Sequence, residues 1–176
     1  MVRCFIGFLL PEEIKFKIFE LQEKIKTWPM KCKFVERENL HLCFSFLGEI
    51  DNSKIKEISS KLDVLSKKFK KIEVNIEGLT AIPNQNYIRV LALRISENET
   101  LKEIFKEIVR EVGGDSKPAH ITLCRIKTIG NKKEVKRKIE EEKISGKFVI
   151  GAIQLIKSEL RKTGPVYSVL HQAELS

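Results

Sequence analysis

The sequence predicts a two-lobed, single-domain fold of mixed strands and helices, and three observations carry that prediction. The order strand, helix, strand, helix, strand reads twice along the 176 residues. The offset between the two readings is nearly constant: 79 residues separate His41 from His120, and 85 separate Arg3 from Ile88. No proline- or serine-rich linker divides the halves, so one compact unit over 1–176 is expected. The repeat runs roughly over 3–81 and 87–157, with a last strand over 166–173. A pseudo-dyad relating two such lobes places their equivalent strands on either side of it.

Residues 3–10 are apolar and read as a strand. Pro11 suits the first turn of a helix, and Ile14, Ile18, Leu21, Ile25 and Trp28 keep a helical stripe that Pro29 ends. A short extended piece around 33–35 leads to a strand over about 40–47, stopped at Gly48. Asp51, Asn52 or Ser53 caps a second helix striped by Ile55, Ile58, Leu62, Leu65 and Phe69. Residues 72–76 alternate as a strand does, and Pro83-Asn84-Gln85-Asn86 forms a turn. The second reading begins with a strand from Tyr87 to Ile95. Ser96 and Glu99 form a capping box for a helix striped by Leu101, Ile104, Phe105, Ile108 and Val112, closed by Gly113-Gly114. A strand over about 119–127 follows, then a short basic helix from Asn131 to about Glu142. Strands over 147–157 and 166–173 complete the chain.

Composition narrows the class. Hydrophobic residues at 42% and charged residues at 32% describe a globular chain, not a disordered one. No apolar run approaches the ~20 residues of a membrane span, so no membrane partner is expected and the protein is read as cytoplasmic. Cys4, Cys32, Cys43 and Cys124 contain no Cys-x-x-Cys pair, which argues against a disulfide framework and a structural zinc site. Thirty-three Lys and Arg against 24 Asp and Glu give a net charge of +9, which draws polyanions.

Two of the three histidines sit in matched settings, His41-Leu42-Cys43-Phe44 and His120-Ile121-Thr122-Leu123. In an extended strand, side chains at i and i+2 leave the same face. Each segment therefore presents an imidazole beside a small hydrogen-bonding group. Facing each other, the two imidazoles suit in-line attack on phosphorus: one takes the proton of the attacking oxygen, the other protonates the leaving oxygen. The small donors would hold the non-bridging oxygens. A single strand histidine is usually structural; it is the matched pair that points to chemistry. His171 lacks such company and is read as structural or exposed. Two histidines without a carboxylate at ligand spacing are too few for a catalytic zinc, and no phosphate-binding glycine loop is present, so neither metal nor cofactor is expected.

These motifs, with Phe34-Val35-Glu36-Arg37-Glu38-Asn39-Leu40 before the first and Phe46-Leu47-Gly48-Glu49 after it, resemble the 2H phosphoesterase superfamily. Within it they look like the archaeal and bacterial RNA 2′,3′-cyclic phosphodiesterases, also called 2′-5′ RNA ligases. The likeness extends to the Arg3-x-Phe5-Ile6 strand, to Pro83-Asn84 before Arg89-Val90, and to Ser158 with Gly164-Pro165-x-Tyr167. It implies an α+β fold in which two antiparallel sheets line a central cleft with helices outside. It further implies opening of a terminal 2′,3′-cyclic phosphate to a 2′-phosphate, with His41 as general acid and His120 as general base. Cys43, Thr122 and Arg125 would bind the phosphate. A 5′-hydroxyl attacking the same phosphate would give ATP-independent 2′-5′ ligation. The implied partner is RNA with a cyclic phosphate end, tRNA fragments included, handled by a monomer.

Cys43 departs from the motif, which has Thr or Ser there. A thiol is the poorer donor, so weaker phosphate binding is expected and Cys43→Thr should speed the reaction. Strict alternation sends Arg125 to the face opposite His120, so its role requires a bulge or strand end near Cys124. The basic run Arg125, Lys127, Lys132, Lys133, Lys136, Arg137 and Lys138 reads equally as an RNA track or as a solvated helix face. Two other function classes stand beside the enzyme: an RNA-binding protein left with little catalysis by Cys43, and a metal-dependent nuclease.

Overall fold

A computed structural model describes all residues, 1–176. In chain order its elements are β1 (Val2–Leu9), α1 (Glu12–Ile25), β2 (Met30–Phe34), a 3-10 turn (Arg37–Asn39), β3 (His41–Ile50), α2 (Lys54–Ser66) and β4 (Ile72–Asn84). Then come β5 (Tyr87–Ile95), α3 (Glu99–Glu111), β6 (His120–Ile129), α4 (Lys132–Glu141), β7 (Ser145–Ile150), β8 (Ala152–Arg161) and β9 (Gly164–Glu174). The strands form two sheets in which every pairing is antiparallel, one in the order β3-β1-β8-β9 and one in the order β2-β6-β5-β4-β7. Helices α2 and α3 pack on the first sheet, α1 and α4 on the second. This is the α+β class expected, with His41 on one sheet and His120 on the other.

The sheets do not follow the halves of the chain. The closing strand of the first half, β4, pairs with β5 and β7 of the second, while β8 leaves the second half to pair with β1. The apolar run over 147–157 is therefore not one strand. At Gly151 it parts into β7, which finishes the second sheet, and β8, which enters the first. Apolar residues of both lobes merge into one contiguous core, with Phe44 edge-on to Phe105 at 5.2 Å.

Local chemistry shifts several boundaries. The strand carrying His41 continues past Gly48, which takes φ +72 where β3 bulges, and ends at Ile50. Asn98, not Ser96, caps α3: its side-chain oxygen accepts from Leu101 N at 3.0 Å, while Ser96 donates to Glu77 across the β4–β5 hairpin. Ser53 stands at the start of α2 without a side-chain cap, its N–H bonded to the Asp51 carboxylate at 3.0 Å. Asn131 caps α4 as expected, accepting from Glu134 N at 3.1 Å.

Candidate active site

Where the two lobes meet, β3 and β6 approach each other directly. Each is braced by the segment that leads into the other's histidine. β2, which precedes His41, pairs with β6; the loop preceding His120 bonds to β3 through paired Phe46 and Asp115 backbone groups at 2.8 and 2.9 Å. That loop lies very close to β3. Gly114, at φ +96, would place a methyl group 2.8 Å from the Phe46 carbonyl oxygen. Gly7 is required for the same reason on the other flank, where a methyl would stand 2.6 Å from the Leu42 carbonyl oxygen.

The two imidazoles are held alike. Nδ1 of His41 lies 2.7 Å from the Asn39 carbonyl oxygen, and Nδ1 of His120 lies 2.7 Å from that of Pro118. A carbonyl only accepts, so each Nδ1 carries its hydrogen and Nε2 becomes the nitrogen offered to a substrate. Both rings are half-buried. Burial pushes the His41 pKa below its ordinary value; the Asn39 carbonyl opposes this, and the nearby His120 charge adds to it. Asn39 is itself buried and donates through Nδ2 to the Pro165 carbonyl at 2.8 Å, so the start of β9 is tied to the backbone that orients His41.

A bulge sits at the same place in both histidine strands. Along β1 and β3, Ile6 faces Ser45 but Gly7 faces Cys43, leaving Phe44 as the extra residue. Along β5 and β6, Leu91 faces Cys124 but Ala92 faces Thr122, leaving Leu123. Alternation is thereby reset. Leu42, Phe44 and Ser45 are buried in one strand, and Ile121, Leu123 and Cys124 in the other. Positions i, i+2 and i+5 from each histidine therefore share the face opposite those buried side chains: His41, Cys43 and Phe46 in one strand, His120, Thr122 and Arg125 in the other. The bulge that Arg125 needs is thus present. Its displaced carbonyl, on Leu123, accepts from Val35 N at 2.9 Å and from the buried Gln22 side chain at 3.0 Å; the matching carbonyl of Phe44 accepts from the Ser116 hydroxyl at 2.8 Å.

Cys43 and Thr122 are both half-buried beside their histidines. Burial, strengthened by the charge of Asp115, pushes the Cys43 thiol up to about 11, against a bond from the Ser45 backbone that lowers it. At neutral pH the sulfur is a neutral thiol, unfit as a nucleophile.

Several neighbours of the histidine strands escaped the i, i+2 logic of the sequence. Phe5 packs on the His41 ring at 4.7 Å, and Tyr167 stands edge-on to it at 5.4 Å. Both lie in motifs visible in the sequence, but only the curl of the β8–β9 hairpin brings Tyr167 here. The Arg3 guanidinium lies 5.0 Å from the centre of the Phe46 ring. Arg94 faces His120 across the β5–β6 pairing and donates to the Leu79 carbonyl at 3.2 Å; only the register reveals that neighbour.

Other residues stay away. His171 pairs with Asp63 at 2.7 Å on the outer surface of the first lobe. In α4, Lys132 and Lys136 donate to Asn86, and Arg137 bonds to Glu141 at 2.8 Å, which favours the solvated-face reading of that helix. No three His, Cys, Asp or Glu side chains gather as a metal site would require.

Known proteins resemble this chain in sequence and in fold. Residues 8–92 match the model of the LigT like phosphoesterase family. The chain is 39% identical to the RNA 2′,3′-cyclic phosphodiesterase of Methanocaldococcus jannaschii, covering 97% of this chain and 99% of that protein. It is 31% identical to the protein of the same name from Aquifex aeolicus, over 98% and 96%. Among solved structures, a Thermus thermophilus protein superposes with a TM-score of 0.79 at 25% identity, over 98% of this chain and 97% of that one. Escherichia coli LigT, solved with 3′-AMP, shares the fold with a TM-score of 0.74 at 21% identity, over 99% and 98%. With relatives this similar along its whole length, the chain belongs to the LigT-like branch of the 2H phosphoesterases.

Proposed function

We propose that this protein opens the 2′,3′-cyclic phosphate at the end of an RNA chain, leaving a 2′-phosphate. The observation that carries the reading is the pair of imidazoles, each pinned through Nδ1 by the carbonyl two residues upstream, each offering Nε2 where the two lobes meet. Water attacks phosphorus and gives its proton to His120 Nε2. The P–O3′ bond breaks, and His41 Nε2–H protonates the departing oxygen. Thr122 and Arg125 face the developing charge on the non-bridging oxygens. Burial biases His41 toward its neutral form; the negative charge of the bound phosphodiester favours the proton it must donate. The names of the full-length relatives support the substrate class.

With a 5′-hydroxyl in place of water, the same displacement joins RNA ends through a 2′-5′ bond. We read the protein as a cytoplasmic monomer acting on RNA ends that include tRNA fragments, without metal or cofactor. No helix is long and apolar enough to cross a membrane. The neutral thiol of Cys43 favours a second reading, RNA binding with little turnover.

An oligonucleotide ending in a 2′,3′-cyclic phosphate, incubated with EDTA, separates these. Conversion to a 2′-phosphate that falls by about 100-fold or more in His41→Ala and in His120→Ala supports the enzyme. Tight binding without conversion supports the second reading, and loss of conversion on adding EDTA would indicate a metal-dependent nuclease.

A further inference from the structure

We propose that the Tyr167 hydroxyl is a phosphate-binding group of this site, supplying the hydrogen bond that a threonine or serine at position 43 would give. The inference deepens the functional reading above and rests on it. Tyr167 belongs to β9, the strand farthest from β3 in its sheet. Its ring nonetheless reaches the site, edge-on to Phe5 at 5.0 Å and to His41 at 5.4 Å. The bond from Asn39 to the Pro165 carbonyl holds the start of β9 against the turn that leads into His41.

The surroundings of the hydroxyl suit an anion. Burial pushes the Tyr167 pKa up, and the neighbouring Cys43 adds to this, while the Arg125 and Arg3 guanidinium groups pull it down. The charges of these groups act on the phenol, and no protein group hydrogen-bonds its O–H. A half-buried donor with no protein partner, edge-on to the proposed catalytic histidine and within the field of two cations, is satisfied by a phosphate oxygen.

Chemistry explains why this matters here. The second motif has a hydroxyl, on Thr122; the first has only the neutral thiol of Cys43, a weak donor. A phenol remains protonated through the pH range in which imidazoles exchange protons, so it donates throughout. Its rigid ring also limits the entropy lost when phosphate arrives, because packing on Phe5 and His41 has already fixed it.

A double-mutant cycle with the cyclic-phosphate oligonucleotide tests the proposal. Tyr167→Phe keeps the ring and removes the donor, and is expected to lower kcat/KM about tenfold or more, the effect of losing a hydrogen bond to a charged group. In the Cys43→Thr background, where a motif hydroxyl is restored, the same change should cost less than about threefold. Inorganic phosphate binding by calorimetry should weaken in parallel. A Tyr167→Phe protein within about twofold of wild type in both turnover and phosphate affinity overturns the proposal, and so does an equal loss in the two backgrounds. If wild type fails to turn over the oligonucleotide, the functional reading falls, and the phosphate titration alone still decides the role of Tyr167.

Discussion

The surroundings of a histidine shape its chemistry more than its ring does, and His41, the general acid of the proposed reaction, shows how. Burial lowers its pKa, so the free protein holds its proton only below the ordinary imidazole value of about 6.5. As the general acid it must be protonated, so kcat/KM should decline as pH rises through that lowered value. In the substrate complex the phosphate anion raises it, and the alkaline limb of kcat should lie at higher pH. Histidine NMR titration with and without phosphate, beside both pH–rate profiles, checks this; coincident limbs would speak against His41 as the acid. Linkage has the same origin. The unfolded chain takes up this proton first, so the contribution of His41 to stability is present above about pH 6.5 and is lost as pH falls through the folded value. The matched setting of the two histidines was legible at once, because two imidazoles with small neighbours at i+2 are a local pattern. Tyr167 was not, since its place depends on how a distant hairpin curls.

At the level of single elements, the twin bulges govern the site. Without them, regular alternation would send Arg125 to the face opposite His120. A bulge is opaque in sequence: Leu123-Cys124 and Phe44-Ser45 look like ordinary apolar strand, and only consecutive burial marks the extra residue. The structure holds the second bulge with a buried glutamine. Gln22 spans from α1 to the carbonyls of Leu123 and Val35, each at 3.0 Å. Gln22→Leu keeps the volume but leaves the Val35 carbonyl without this donor and weakens the grip on Leu123. It should destabilise the protein by about 1–3 kcal/mol in urea unfolding. KM for the cyclic-phosphate substrate should also rise, through the displaced Arg125. An unchanged KM with full stability would show that the bulge stands without its clamp. Helix limits fared better in the sequence because they rest on short-range signals, as with Asn131. Where two caps competed, at Ser96 and Asn98, a tertiary contact to Glu77 decided.

For the molecule as a whole, a near-constant offset suggests a twofold pattern of elements, but it does not announce the exchange of strands between lobes. Periodicity marks 147–157 as apolar and extended; nothing in it announces that the chain changes sheets at Gly151. The same applies to α1 and α3, each of which packs on the sheet that holds the other half's histidine. Pairing partners are long-range facts, and one sequence carries only local ones. The traded ribbons bear on how the protein responds to heat. Neither lobe is complete without a strand drawn from the other, so no half-melted species retains a working centre. Turnover and far-UV ellipticity should therefore vanish together on warming, with one shared midpoint, whereas activity lost many degrees earlier would mean that a lobe can open alone.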